Sequence, residues 1–369
     1  MFLNAEDKKH VSVERGIGVF PLSRIEGGKI EDVGHWPTEK GQRKFSANLA
    51  GWRGSVAKVA AEGWKTEKFG EFPIPIANRV KEIDDGYAVF TDYFPGFVSL
   101  GKDGPKWVIH QLDTSKVTPD DLRRVVRILD AIHPTTKTYL EKRGQEAPIE
   151  SWANEKNPQC GLRGREWFIN EKTNNDRLHE LWGKIDAAPE IFSAVDPEFD
   201  FKKGLETFIR NNLPLYRKQD GTIDDPADEK YLGEDVVAHG TIFADNMGIK
   251  RDSKGKLHLG LFGGDRMQLI ARRGQMIDAM VSGCANNSDY QDVIIEEFRT
   301  IQVEKGRDVE KEMRAAGMHI NYRCLSEIPE YVKAGKIREA QNLARLSLKI
   351  MKGEGIWKGV NTDIMEVID

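Results

Sequence analysis

The sequence predicts an α+β chain in two parts, a small antiparallel sheet lobe followed by a larger, mainly helical lobe. Three observations carry this. Hairpin signals are confined to the first hundred residues, the Tyr93-Phe94-Pro95-Gly96 stretch breaks the pattern, and helical periodicity dominates beyond it. The boundaries that follow are 1–96 for the sheet lobe with one helix and 97–369 for the helical lobe, which holds an inserted helical subdomain at about 140–234.

The elements read in order. Gly16 to Phe20 reads as a short strand, Arg24 to Ile30 as a hairpin about Gly27-Gly28, and Arg43 to Leu49 as a further strand. Residues 55–68 place Val56, Val59, Ala60 and Trp64 at helical spacing. Ile76 to Val80 and Tyr87 to Phe90 flank Asp85-Gly86, a second hairpin turn. After the hinge, Thr118 is suited to cap a helix with Pro119 at its first position. Leu122, Val125, Val126, Leu129 and Ile132 then share a face, and His133-Pro134 is expected to end the helix. Amphipathic pieces follow at about 175–186 and 202–212. In 236–266 two strand-like segments, Val236 to Ala238 and Lys256 to Phe262, bracket a loop. Helices are expected at about 274–285, 289–304, 306–316, 326–333 and 336–352, the last carrying Ile337, Ala340, Leu343, Ala344, Leu346, Ser347 and Ile350 on one face.

Composition narrows the class of function. With 369 residues, 55 Lys plus Arg against 59 Asp plus Glu and a formal charge of -4, the chain has no general attraction for nucleic acid or an anionic membrane. No apolar run approaches the ~20 residues of a membrane helix, and MFLNAEDKKH has no secretory pattern, so the expected location is the cytoplasm. Cys160, Cys284 and Cys324 are widely spaced and form no zinc or disulfide pattern. Arg163, Arg165, Arg272 and Arg273 read as solvated surface rather than an RNA site. Gly263-Gly264 reads as turn chemistry, and Trp152, Trp167, Trp182 and Tyr216 read as core in a region where an acceptor pocket is the competing interpretation.

Residues 239–249, HGTIFADNMGI, followed by GKLHLGLFGG, resemble the catalytic and metal-binding loops of the aminoglycoside phosphotransferase and choline kinase-like family, whose pattern is HGDxxxxN followed by an IDF or IDW strand end. His239, Gly240 and Asn246 keep that spacing. The resemblance implies a bilobal protein-kinase-like fold and, at Asp278, a structural aspartate. It also implies roles: a carboxylate to take the acceptor's proton, Asn and Asp on Mg²⁺, and Lys on the nucleotide phosphates. Three of these roles are vacant here. Thr241 stands at the base position, Leu261 at the metal aspartate and Asn48 at the lysine, with Glu62 as the carboxylate that would have paired with it. His239 then organises the loop, while Phe262 and Gly263 keep the strand end that follows the metal position.

Losing a general base costs about 10²- to 10⁴-fold, so the expectation is a pseudokinase that binds a small molecule or protein partner. The alternative is an active small-molecule phosphotransferase using Mg²⁺ with ATP or GTP, in which Asp245, Asn246 and Asp265 form a displaced metal site.

Overall fold

The computed structural model describes residues 18–26, 29–36, 77–83, 86–92, 97–102, 110–141, 169–170, 175–212, 216–217, 223–224, 235–238, 243–255, 257–261 and 268–360. Its first part is a four-stranded antiparallel sheet. Strands β1 (Gly18–Glu26) and β2 (Lys29–Trp36) pair from Glu26↔Lys29 outward, the register of a two-residue turn at Gly27-Gly28. Strands β3 (Ala77–Ile83) and β4 (Gly86–Asp92) close at Ile83↔Gly86 in the same way, and the sheet order is β1-β2-β4-β3. Both hairpins fall where the sequence reading places them, but the second differs from it by one residue: Gly86, read as part of the Asp85-Gly86 turn, is the first residue of β4 and pairs with Ile83. The strand expected at 43–49, the helix at 55–68 and the hinge at 93–96 lie outside the described residues.

The second part is mainly helical. Helix α1 (Pro119–Glu141) begins with a reciprocal cap: Thr118 Oγ1 accepts from the Asp121 amide at 3.2 Å, and the Thr118 amide donates to Asp121 Oδ2 at 2.9 Å. Leu122, Val125, Val126 and Leu129 are each at most 1% exposed, so the predicted apolar face is the buried one. The predicted stop at Pro134 is wrong, because the helix continues seven residues to Glu141. An interior proline loses its own N–H rung and crowds the carbonyl four residues back, but the ladder resumes beyond it here. Helices α2 (Arg177–Asp186) and α4 (Phe201–Asn212) fall where expected, and α3 (Pro189–Val195) lies between them.

Four small sheets organise the middle of the chain. Two-residue pairs join β6 (Ile169–Asn170) to β7 (Asn175–Asp176) and β8 (Tyr216–Arg217) to β9 (Ile223–Asp224). Strand β10 (Asp235–Ala238) pairs with β13 (Gln268–Arg272), while β11 (Met247–Arg251) pairs with β12 (Leu257–Leu261) and with the short β5 (Val98–Ser99). The loop expected between two strands therefore contains a strand of its own, β11.

The last third packs α5 (Asp278–Gly283), α6 (Ser288–Glu304), α7 (Val309–Lys333) and α8 (Ile337–Lys352) into one apolar core. The sequence suggested two helices where α7 is one. Ten consecutive residues, Glu312 to Asn321, are buried, so their polar members do not mark a solvent face as they would in an amphipathic helix. Backbone approaches backbone here: a Cβ on Gly274 would sit 2.4 Å from the Ala316 backbone. On α8 the expected face is buried except for Ile337, which at the first position of the helix is 43% exposed. Gly353 ends α8 with a left-handed φ of 64°, where a side chain would be strained. Among the described residues no helix is long and apolar enough to cross a membrane.

Arg273 overturns a sequence expectation. It is 2% exposed, with its guanidinium 3.4 Å from Asp130 and 3.3 Å from Glu312. Asp130 is 1% exposed and is also held by Arg307 at 2.6 Å and by Lys305. Burial alone would raise the Asp130 carboxyl, but hydrogen bonds from Arg307 and Lys305 outweigh it and hold the group below the usual range. This network ties α1 to the α6–α7 junction.

Removing one partner leaves buried charge uncompensated, so Asp130→Ala should cost about 3–5 kcal/mol in urea denaturation. A depressed carboxyl stabilises fully above its unfolded value of about 3.9 and loses that contribution as the pH falls through its folded value. Wild type should therefore lose stability below about pH 4, and Asp130→Asn should lack that portion of the loss. Equal acid sensitivity in both would contradict the assignment.

Candidate functional site

The motif segment enters the described structure at Phe243. Residues Ala244–Asn246 form a single 3-10 turn, closed by the Asn246 amide donating to the Phe243 carbonyl at 2.9 Å, and β11 follows at once. Ala244 and Met247 are buried at 2% and 0%, which seats the turn, while Phe243, Asp245 and Asn246 stay partly accessible. The β11–β12 register pairs Met247 with Leu261 and runs unbroken to Arg251↔Leu257. Cα atoms of antiparallel partners lie about 4.5–5.5 Å apart. The backbone of Leu261 thus stands across from the residue next to Asn246, at the mouth of the hairpin.

A residue the sequence reading passed over, His110, completes this edge. The segment holding it is fixed by the Leu112 amide donating to the Gly283 carbonyl at 2.9 Å, by Asp113 to Leu100, and by Lys102 to the Gln111 carbonyl. Gly283 makes the approach possible, since a Cβ there would sit 2.9 Å from the His110 carbonyl oxygen. His110 Nδ1 lies 2.9 Å from Asp245 Oδ1. A carboxylate only accepts, so Nδ1 carries the hydrogen and donates. The two side chains are 29% and 26% exposed, and the His110 ring lies 4.3 Å from the Phe243 ring.

Beneath the turn lies a cluster of charge. The Arg323 guanidinium sits 4.9 Å from the centre of the Phe243 ring, within cation–π range, and its Nε is 3.7 Å from Asp278 Oδ2. One helical turn along α7, Glu327 accepts from Ser282 Oγ at 3.3 Å. Desolvation pushes both carboxyls up, each to about 6, against the opposing pull of Arg323. Cys284 and Cys324 are buried free thiols raised by desolvation, which keeps them protonated and unreactive.

Of the sequence-predicted site residues, Asp245 and Asn246 are adjacent on the turn, and Leu261 is brought to them by the strand register. Asp278 is buried under the same turn. Asn48, Glu62, His239, Gly240, Thr241, Phe262, Gly263 and Asp265 lie outside the described residues. Trp182 is core-packed, with its indole N–H donating to the Lys202 carbonyl at 3.3 Å. Among the described residues no three His, Cys, Asp or Glu side chains gather as a metal site. Reasoning from sequence missed His110, Arg323 and Glu327. The signal for the last two is their i, i+4 spacing, which puts a positive and a negative side chain on one face of α7.

No family model matches the chain, and no curated protein does. Solved structures similar to it include a GDP complex of a mutant aminoglycoside 2'-phosphotransferase-IIIa, at 14% identity and a TM-score of 0.44, covering 92% of this chain and 93% of that one. Spectinomycin phosphotransferase in complex with ADP and spectinomycin matches at 10% identity and a TM-score of 0.38, over 87% and 86% of the two chains. Plasmodium vivax ethanolamine kinase matches at 9% identity and a TM-score of 0.36, over 88% and 77%.

Gly283→Ala tests how His110 is placed. An alanine in a helix gains about 0.5–1 kcal/mol over glycine, whereas overpacking costs about 1–3 kcal/mol. The contact is to a backbone oxygen that cannot swing aside, so the variant should be net destabilised in urea denaturation, with a shifted His110 imidazole resonance. A stabilised protein with an unmoved resonance would show that the approach is not tight.

Proposed function

We propose that the chain is an aminoglycoside phosphotransferase-like pseudokinase, catalytically impaired, that uses its scaffold to bind a small molecule or a protein partner. The observation that carries this reading is the Met247↔Leu261 register. The paired strands support the loss of a metal aspartate: the position across from Met247, the residue after Asn246, belongs to leucine, whose side chain offers a cation no oxygen.

The fit to Mg²⁺ and a nucleotide is therefore poor at the residues present. Asn246 contributes a neutral ligand, and Asp245 Oδ1 is already engaged by His110. Thr241 supplies no carboxylate base, and Asn48 no positive charge for phosphates. No step of phosphoryl transfer is assigned to the cleft. The competing reading, a displaced metal held by Asp245, Asn246 and Asp265, asks Asp245 to share its carboxylate between His110 and a divalent cation.

Purified protein should show no Mg²⁺-dependent thermal shift with ATP or GTP and no phosphate transfer to sugars, aminoglycosides or choline. Magnesium-dependent turnover that disappears in Asp245→Ala or Asp265→Ala would overturn the pseudokinase reading in favour of the displaced site.

A further inference from the structure

Polar side chains inside a helix commonly bond back to its own carbonyls, and several here do. Ser326 Oγ donates to the Tyr322 carbonyl at 2.7 Å, Thr300 Oγ1 to that of Glu296 at 2.8 Å, and Asn212 Nδ2 to that of Phe208 at 2.8 Å. Asn321 on α7 and Ser347 on α8 do not. They are 1% and 0% exposed, yet among the described residues the Asn321 amide oxygen and nitrogen and the Ser347 hydroxyl have no hydrogen-bond partner. Polar atoms left bare at such depth are costly, so both side chains call for a group that satisfies them.

The topology brings the two together. Only Ala334, Gly335 and Lys336 separate α7 from α8, and the Lys336 amide donates to the Tyr331 carbonyl at 2.8 Å, so the helices run antiparallel as a hairpin. Their register is read at Gly317, where a Cβ would sit 3.1 Å from Ile350 Cγ2. One turn along α7 from Gly317 is Asn321, and one turn back along α8 from Ile350 is Ser347. The two therefore stand at the same level of the seam, on faces that meet. Their buried neighbours on α8, Leu343 and Ala344, carry no side-chain hydrogen-bonding group.

We propose that the α7–α8 seam holds an internal hydration site, in which water bridges the Asn321 amide to the Ser347 hydroxyl. Water suits this pair because it donates and accepts at once: the amide presents one acceptor and one donor, and the hydroxyl can play either part. A buried water makes about three hydrogen bonds, and these two side chains offer three polar atoms. Ala344, one turn from Ser347, is small and leaves room on the α8 side. The bridge also fixes the register of the hairpin, since sliding α8 by a turn would carry Ser347 away and leave the amide against apolar side chains. The site is independent of any chemistry in the cleft.

A crystal structure of the full chain that resolves ordered waters tests this directly. It should show a water about 2.7–3.2 Å from both an Asn321 amide atom and Ser347 Oγ. A direct hydrogen bond between the two side chains, or a seam filled by apolar groups, would overturn the proposal. Urea denaturation of Asn321→Leu, Ser347→Ala and the double variant supplies a second reading. Groups that share a water are coupled, so the midpoint of the double variant should fall by less than the sum of the two single falls. Additive shifts would also overturn the proposal.

Discussion

A helix buried along its middle on every side imposes the arrangement of the rest. From Glu312 to Asn321 every residue of helix α7 is buried, yet it carries Glu312, Arg314, His319 and Asn321 along that stretch. Burying a charge without a partner costs several kcal/mol, so each charged group constrains what packs against it. Glu312 takes Arg273, which in turn reaches Asp130 on α1. Further along the same helix, Arg323 takes Asp278, and Glu327 takes Ser282. Helix α7 thus supplies ionic contacts toward both α1, by way of Arg273, and α5, alongside those that Lys305 and Arg307 make to Asp130. The close approach of Gly274 to Ala316 adds a steric condition to the electrostatic ones.

That framework places the functional edge. The 3-10 turn rests on buried Ala244 and Met247, the hairpin register sets Leu261 opposite it, and His110 is brought in across 135 residues of sequence by its seat on Gly283. The hairpin mouth carries a leucine, and the carboxylate on the turn is paired with an imidazole. Shape and chemistry are separable in this way because the turn is held by packing and backbone hydrogen bonds, which do not depend on the groups that would touch a metal.

Local signals were legible in the sequence, and long-range ones were not. The Gly27-Gly28 and Asp85-Gly86 signals located two hairpins, the second to within one residue, because turn chemistry acts within four residues. Thr118 and Pro119 marked the start of α1 for the same reason. Its end was misjudged because Pro134 was weighed as a breaker, whereas the ladder resumes beyond it. Helix α7 was divided because polar residues in its middle imitate a solvent face, and Arg273 was assigned to the surface because its partners lie on other elements. At the candidate site, motif spacing singled out Asn246, adjacency to it singled out Asp245, and the following strand end singled out Leu261, all of them local signals. His110 could not be found, since nothing local marks a histidine that pairs across such a separation.

The claim that the hairpin has lost its metal position is tested most directly by putting the carboxylate back. Calorimetric titration of ATP, with and without Mg²⁺, should show no strengthening by the metal in wild type, whereas Leu261→Asp should make nucleotide binding Mg²⁺-dependent by returning a carboxylate to the strand end that pairs with Met247. Wild-type binding that Mg²⁺ already strengthens, with no further gain in Leu261→Asp, would contradict the account.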